Sequence, residues 1–347
     1  MKCKVAINGL GRIGRNVVRQ ILCNDDMVVT HINDLNPSTE NLAYLLNYDS
    51  TYGRLNEMFY VVDDCLVRGE EKISVSRFDN PNDIDWGLLD VDILIESTGV
   101  DAVQDKVGEL VRSNVLSQAI VTHSSKKVDK TIILGVNDAS LEVGVDRFIS
   151  SSICDANAVA PALSLVNDAF GITSGDVLTL HPWLGYQNVV DGPCRSFAYP
   201  GSFEENFSLG RASTESLIPK TTSCMGAVKD VLPGLPEFSS MSYRVPTPIV
   251  SSAIININTA TQPNSGKEIL ELFNDRVSCQ ENKVFAVSDA PLISKDFIGS
   301  QYSCILDSRW LDFDKTSGKL RMVLWYDNEF AYTSRVIDTI RMMSHGT

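Results

Sequence analysis

The stretch Gly9-Leu10-Gly11-Arg12-Ile13-Gly14 constrains the fold of this chain more than any other. A short apolar run, Lys4-Val5-Ala6-Ile7-Asn8, leads into it, and Val17, Val18, Ile21 and Leu22 give the following segment an apolar stripe at helical spacing. Met27-Val28-Val29-Thr30-His31-Ile32 reads as a second strand closed by Asn33-Asp34. A Gly-x-Gly-x-x-Gly string alone is a weak signal. Set between strand and helix, with an acid closing the next strand, it specifies a dinucleotide-binding unit rather than a plain glycine turn. Gly9 permits the tight turn, Gly11 lets the backbone approach a pyrophosphate, and Gly14 lets helix and strand pack closely. The helix N-terminus then holds the phosphates while the Asp34 carboxylate accepts hydrogen bonds from a ribose diol. A 2′-phosphate would meet like charge there, so the expected cofactor is NAD and not NADP.

Further strands are expected at Phe59-Tyr60-Val61-Val62, Ile73-Ser74-Val75, Val91–Glu96, Ala119-Ile120-Val121-Thr122 and Thr131–Val136, with a helix over Gln104–Arg112. Ser97-Thr98-Gly99 is the loop at the carboxyl end of a buried strand, where doubly wound sheets bind ligands. Beyond about residue 150 the pattern changes. Val177–His181 is a strand ending on a histidine, and Tyr243-Arg244-Val245 with Ile249–Asn258 reads as one long strand system interrupted by Pro246 and Pro248. Lys283–Val287 and Arg321–Tyr326 add strands, and Glu268–Val277 and Glu329–Met343 are helical. The expected fold class is α/β. A Rossmann-type doubly wound parallel sheet over residues 1–153, completed by a C-terminal helix within 329–347, is joined to an α+β catalytic domain over 154–328 with a mixed or antiparallel sheet. Gly185–Gly210 is the longest irregular segment, of the kind that is functional or forms interfaces.

The 347 residues suit two domains, and 44% hydrophobic with 21% charged residues is an ordinary soluble balance. With 30 Lys and Arg against 44 Asp and Glu, the net charge of −14 argues against nucleic acid or an anionic membrane as a partner. No apolar run nears membrane-spanning length, and Met1-Lys2-Cys3-Lys4 runs straight into a strand, which points to a cytoplasmic protein. Eight cysteines are scattered with no Cys-x-x-Cys pair, and His31, His123, His181 and His345 show no metal-ligand spacing, so no metal is expected.

One of those cysteines has a distinctive address. Ser150-Ser151-Ser152-Ile153-Cys154-Asp155-Ala156-Asn157 reads as the entrance of a helix running to about Phe170. A cysteine in the first turn faces unpartnered backbone N–H groups and the positive end of the helix dipole, and both favour the nucleophilic thiolate. His181, ending the next strand, is the histidine placed to manage protons for it, although a strand-end histidine is more often structural. A nucleophilic cysteine beside a nicotinamide site implies a definite chemistry. The sulfur adds to an aldehyde, the thiohemiacetal gives hydride to NAD, and a thioester remains for phosphate or water to release.

Over nearly its full length the sequence resembles the glyceraldehyde-3-phosphate dehydrogenase family. The resemblance is carried by Val5–Gly14 with Arg15-Asn16, Asn33-Asp34-Leu35, Tyr48-Asp49-Ser50, Gly53-Arg54-Leu55, Glu96-Ser97-Thr98-Gly99 and Gly135-Val136-Asn137. It continues through the Cys154 helix with Asn157 and Ala160-Pro161, then Arg244–Pro248, then Trp325-Tyr326-Asp327-Asn328-Glu329. The resemblance implies a homotetramer that acts on a small aldehyde with NAD, phosphorylating by default. It makes Cys154 the nucleophile and His181 the base, with Gly9, Arg12, Ile13, Asp34, Thr98 and Thr122 lining the cofactor and Asn328 meeting the carboxamide. Arg244 and Thr222 become contacts in the substrate site, where Ser223 replaces a glycine and Arg211 remains from an arginine-rich loop end.

The departures matter as much. The family reads Ser-Cys-Thr-Thr-Asn-Cys at the nucleophile, so two phosphate-binding hydroxyls become Ile153 and Asp155. Leu184 and Tyr186 stand where Thr and Asp handle substrate phosphate, Leu209 stands in the arginine-rich end, and the loop over 192–210 is longer. Each lost hydrogen bond to an anion is worth ~1.5–3 kcal/mol. Asp155 has two readings: an acid placed in a first helical turn by the dipole, or a carboxylate that repels phosphate and raises the Cys154 pKa. The acceptor is therefore open between phosphate and water, as in the relative erythrose-4-phosphate dehydrogenase. So is a different class of role, an NAD-binding regulatory protein. Arg195 or Arg211 could take over the missing anion contacts.

Overall fold

The computed structural model describes residues 2–344. Met1 and His345–Thr347, which the sequence reading includes in the first domain and its returning helix, lie outside the described residues. Two compact units divide the chain: residues up to 132, 140–152 and from 333 onward form the first, and 133–139 with 153–332 form the second. The sequence reading puts 133–139 in the first unit and starts the returning segment at 329, so both boundaries move.

In the first unit a sheet runs in the order Lys130–Thr131, Phe148–Ser150, Gln118–Val121, Ile93–Glu96, Cys3–Asn8, Met27–Asn33, Glu71–Ser76, Cys65–Arg68, Tyr60–Val62. Its first seven strands are parallel, and the last two fold back antiparallel. Strands covered on both faces need continuous apolar sequence. Val5, Ala6, Ile7, Ile93, Leu94 and Ile95 accordingly lie in the sheet centre with no exposure. The C-terminal helix Phe330–Ser344 joins this unit through its later residues. Gln20 donates to Thr333 at 2.6 Å, Ser334 donates to Gln20 at 3.0 Å, and Arg341 pairs with Asp26 at 2.9 Å.

The strand expected over Thr131–Val136 stops at Thr131. Gly135 takes a φ of +80°, the Asn137 side chain accepts from the Ile133 N–H at 2.9 Å, and Asp138 accepts from the Gly135 N–H at 2.8 Å. Local capture of backbone donors by short polar side chains turns the chain where its apolar residues alone read as a strand.

The second unit is built on a mixed sheet in the order Ile218–Lys220, Phe238–Val245, Ile172–Pro182, Ser251–Thr259, Lys319–Tyr326, Cys304–Asp307, Phe285–Ser288. The two segments flanking Pro246 and Pro248 do not make one strand system. They lie on opposite sides of Ile172–Pro182, one parallel to it and one antiparallel. The helix Cys154–Phe170 ends at Gly171, whose φ of +64° suits glycine. Segment 185–210 is irregular apart from an Arg195–Phe203 bridge and the short turn Phe207–Gly210.

Candidate active site

In the first unit, the loop after Cys3–Asn8 has the geometry a pyrophosphate needs. Gly9 has φ +91°, and a Cβ there would lie 2.9 Å from the Thr98 nitrogen; one on Gly14 would lie 2.1 Å from the Gly9 oxygen. At Gly11 a Cβ would meet nothing within 4 Å, so this position faces open space where a phosphate fits. The helix Arg12–Ile21 starts at Gly11 with no side-chain cap and no acid in its first turn, as an anion requires. Asp34 is tied to the same loop, accepting from the Leu10 N–H at 2.6 Å and the Asn36 N–H at 2.9 Å. Arg12 pairs with Asp49 and lies over the Tyr52 ring, while Ile13 is half-buried beside it. The Thr98 N–H donates to buried Glu96 at 2.8 Å, Gly99 follows with φ +70°, and Thr122 donates to the Glu96 carbonyl at 3.1 Å. Burial pushes the Glu96 carboxyl up to about 7. These first-unit residues fit a dinucleotide. Asn328 belongs to the second unit, where it is buried and accepts from the Val250 N–H at 3.0 Å. Val250 holds φ +72°, a strained conformation for a β-branched residue that no sequence signal announces.

In the second unit, Cys154 is a half-buried residue that opens its helix, and Sγ lies 3.6 Å from His181 Nε2. His181 Nδ1 sits 2.8 Å from the Pro182 carbonyl, which requires its proton and leaves Nε2 free to accept. Asp155 is buried, with Oδ1 3.5 Å from the same sulfur and accepting from the Tyr326 hydroxyl at 2.8 Å. The thiol therefore faces two acceptors. Burial first, then the Asp155 charge, push the Cys154 thiol well above its ordinary value, and Arg244 acts in the opposite sense. Burial and the Arg244 charge hold His181 down at about 4. Desolvation and the adjacent carboxylate thus oppose the thiolate that the helix entrance and Arg244 favour. Asp155→Asn keeps an oxygen for Tyr326 but removes the charge. It should speed iodoacetamide alkylation of Cys154 at pH 7 by about tenfold or more, read by peptide mapping because Cys23 and Cys279 are also exposed. An unchanged rate would mean that the carboxylate does not control the thiol.

Cys154, Asp155 and His181 each offer a metal-ligand atom within 4.8 Å of the others, a grouping invisible in sequence spacing. Arg244 and Lys220, whose charges both reach this cluster, disfavour a further cation there. Arg244 is 6% exposed and stands beside His181 in register on the adjacent strand. It donates to the Tyr186 hydroxyl at 3.4 Å, and its Nε has no partner. Thr222 accepts from the Cys224 N–H at 3.1 Å and Ser223 is the exposed cap of the next helix. Leu184 is partly buried, and Leu209 packs with Cys194, Ile218 and Tyr186. Arg211 is not brought to the site: it pairs with Asp191 at 2.8 Å on the surface, and Arg195 is exposed. The cation that does face the site, Lys220, escapes sequence reading because it belongs to no motif.

A glycine loop with its acid on a parallel sheet, and a second unit carrying a cysteine–histidine pair, define a dinucleotide-dependent oxidoreductase. The domain family described as "Glyceraldehyde 3-phosphate dehydrogenase, NAD binding domain" matches residues 3–104, and "Glyceraldehyde 3-phosphate dehydrogenase, C-terminal domain" matches 153–328. The chain is 34% identical over 345 residues to glyceraldehyde-3-phosphate dehydrogenase 1 of Nostoc sp., covering 99% of this chain and 97% of that one. It is 32% identical over 342 residues to glyceraldehyde-3-phosphate dehydrogenase 2 of Bacillus subtilis, covering 98% and 96%. It is 34% identical over 341 residues to the Geobacillus stearothermophilus glyceraldehyde-3-phosphate dehydrogenase, covering 97% of each. The chain belongs to the glyceraldehyde-3-phosphate dehydrogenase family, and NAD is its cofactor. Among the described residues, no helix is long and apolar enough to cross a membrane.

Proposed function

We propose that the chain oxidises a small, sugar-phosphate-like aldehyde with NAD through a thioester on Cys154. The observation that carries this reading is the 3.6 Å approach of the Cys154 sulfur to an imidazole nitrogen whose partner nitrogen is fixed by a backbone carbonyl. As the sulfur attacks the aldehyde carbon, its proton passes to His181 Nε2. The imidazolium returns that proton to the developing oxyanion, giving a thiohemiacetal. NAD, when bound, accepts the hydride from that carbon. His181 takes the hydroxyl proton as the carbonyl forms, and the acyl group stays on sulfur. Retention of Cys154, His181, Arg244 and Asn328 together supports an enzyme over a purely regulatory NAD binder.

Phosphate is the acceptor carried over from the family resemblance. A second reading, water as acceptor, is favoured by Asp155: a carboxylate 3.5 Å from the sulfur repels a phosphate dianion and offers an acceptor for a proton of water. Initial rates of NADH formation from glyceraldehyde 3-phosphate, with and without inorganic phosphate, separate the two. The Asp155 reading expects multiple turnovers without phosphate, and arrest after one turnover would return the default. A cytoplasmic homotetramer belongs to the same proposal. Exposed Val189, Val190, Phe197, Tyr199, Phe203 and Phe207 on the irregular segment support burial against further copies.

A further inference from the structure

Three strand ends of the first unit are tied together by side chains beneath the cofactor loops. Asn8, Asn33 and Glu96 are each the last residue of a parallel strand, and Asn8 stands in register with both of the others. The chain runs from them into Gly9, Asp34 and Ser97-Thr98, at the carboxyl ends of the strands where a dinucleotide lies. All three are buried, Glu96 with no exposure at all. Fixed backbone groups set the direction of each hydrogen bond. The Phe78 N–H donates to the Asn33 side-chain oxygen at 2.9 Å, so the Asn33 amide nitrogen donates to the Asn8 oxygen at 2.8 Å. The Asn8 amide nitrogen then has to donate to Glu96 Oε2, at 2.5 Å. From the other side, the Thr98 N–H donates to Oε1 at 2.8 Å. The Thr98 hydroxyl accepts from the Val100 N–H at 3.2 Å and turns its own proton to the same Oε1. Both oxygens of Glu96 therefore act as acceptors, and every donor to them is neutral.

A carboxylate with no exposure cannot meet the cofactor itself. We propose that Glu96 is a positioning residue for NAD: as the shared acceptor at the end of both hydrogen-bond chains, it sets the spacing of the Gly9, Asp34 and Thr98 loops. The inference needs only NAD binding and stands apart from the thioester reading. Holding a buried charge on neutral donors is costly, whereas a fully satisfied buried network is rigid. That rigidity reaches the glycine loop. Ser97 donates to the Gly9 carbonyl at 2.7 Å, and a Cβ on Gly9 would lie 2.9 Å from the Thr98 nitrogen, so neither loop shifts without the other. An amide in place of the carboxylate would set donor against donor in either orientation, its nitrogen facing the Asn8 nitrogen or the Thr98 N–H.

The test is the NAD affinity of the full chain, by titration calorimetry at pH 8, above the value of about 7 to which burial pushes the Glu96 carboxyl. Glu96→Gln should weaken NAD binding about 10- to 100-fold. The double variant Asn8→Asp with Glu96→Gln exchanges donor and acceptor: the new amide donates to the new carboxylate, which still accepts from Asn33. It should restore affinity to within about threefold of wild type. Thermal unfolding separates positioning from folding. Unchanged affinity in Glu96→Gln overturns the proposal, and so does a double variant that regains stability without regaining NAD affinity. Should Glu96→Gln not fold, Asn8→Ala cuts only the tie between Asn33 and Glu96. It should weaken NAD binding about three- to tenfold, and wild-type affinity there would equally overturn the proposal.

Discussion

Replacing Cys154 by serine should lower kcat/KM for NADH formation about 10⁴-fold or more, with NAD affinity unchanged. A serine hydroxyl holds its proton far more tightly than a thiol, and the base 3.6 Å away is an imidazole held down at about 4. Such a base removes a proton only from a group that acidifies as it attacks. Cys224 and Cys304 are buried with thiols pushed up by that burial, Cys3 is pushed up to about 12, and among the described residues none of the three is hydrogen-bonded to a histidine. Equal activity of the serine variant would place the chemistry elsewhere.

Replacing His181 by asparagine should cost about 10²- to 10⁴-fold in kcat, the usual worth of a positioned acid–base group. The pH profile discriminates further. In wild type the imidazole is already deprotonated above about pH 4, so His181 contributes no rising limb between pH 6 and 8. Without it, attack waits on the small population of thiolate set by a thiol pushed up by burial and Asp155. The variant's rate should therefore climb about tenfold per pH unit across the same range. A flat profile in the variant would show that His181 is not the base.

Much of the first unit was legible in the sequence because its determinants are local. The Gly9–Gly14 loop, the apolar strands around it and Asp34 are written in consecutive residues with a known period. The turn at Gly135 was missed because Asn137 and Asp138 compete for backbone donors, which an apolar run does not disclose. In the second unit, the Cys154–His181 pair could be anticipated from a helix entrance and a strand end. Its protonation state could not, since that depends on how deeply the sulfur is buried and on the direction Asp155 points. Sheet order was likewise hidden: the strands flanking Pro246 and Pro248 are close in sequence but separated by Ile172–Pro182. Lys220 became visible only through its register with Ser242, next to Arg244.

The most direct measurement of the central claim is a rapid acid quench of enzyme mixed with NAD and glyceraldehyde 3-phosphate in the absence of inorganic phosphate, followed by peptide mapping. The account predicts an acyl adduct on the peptide containing Cys154, appearing together with NADH and absent when NAD is omitted. NADH accumulating with no acyl group on that sulfur, or with the adduct on another residue, would contradict it.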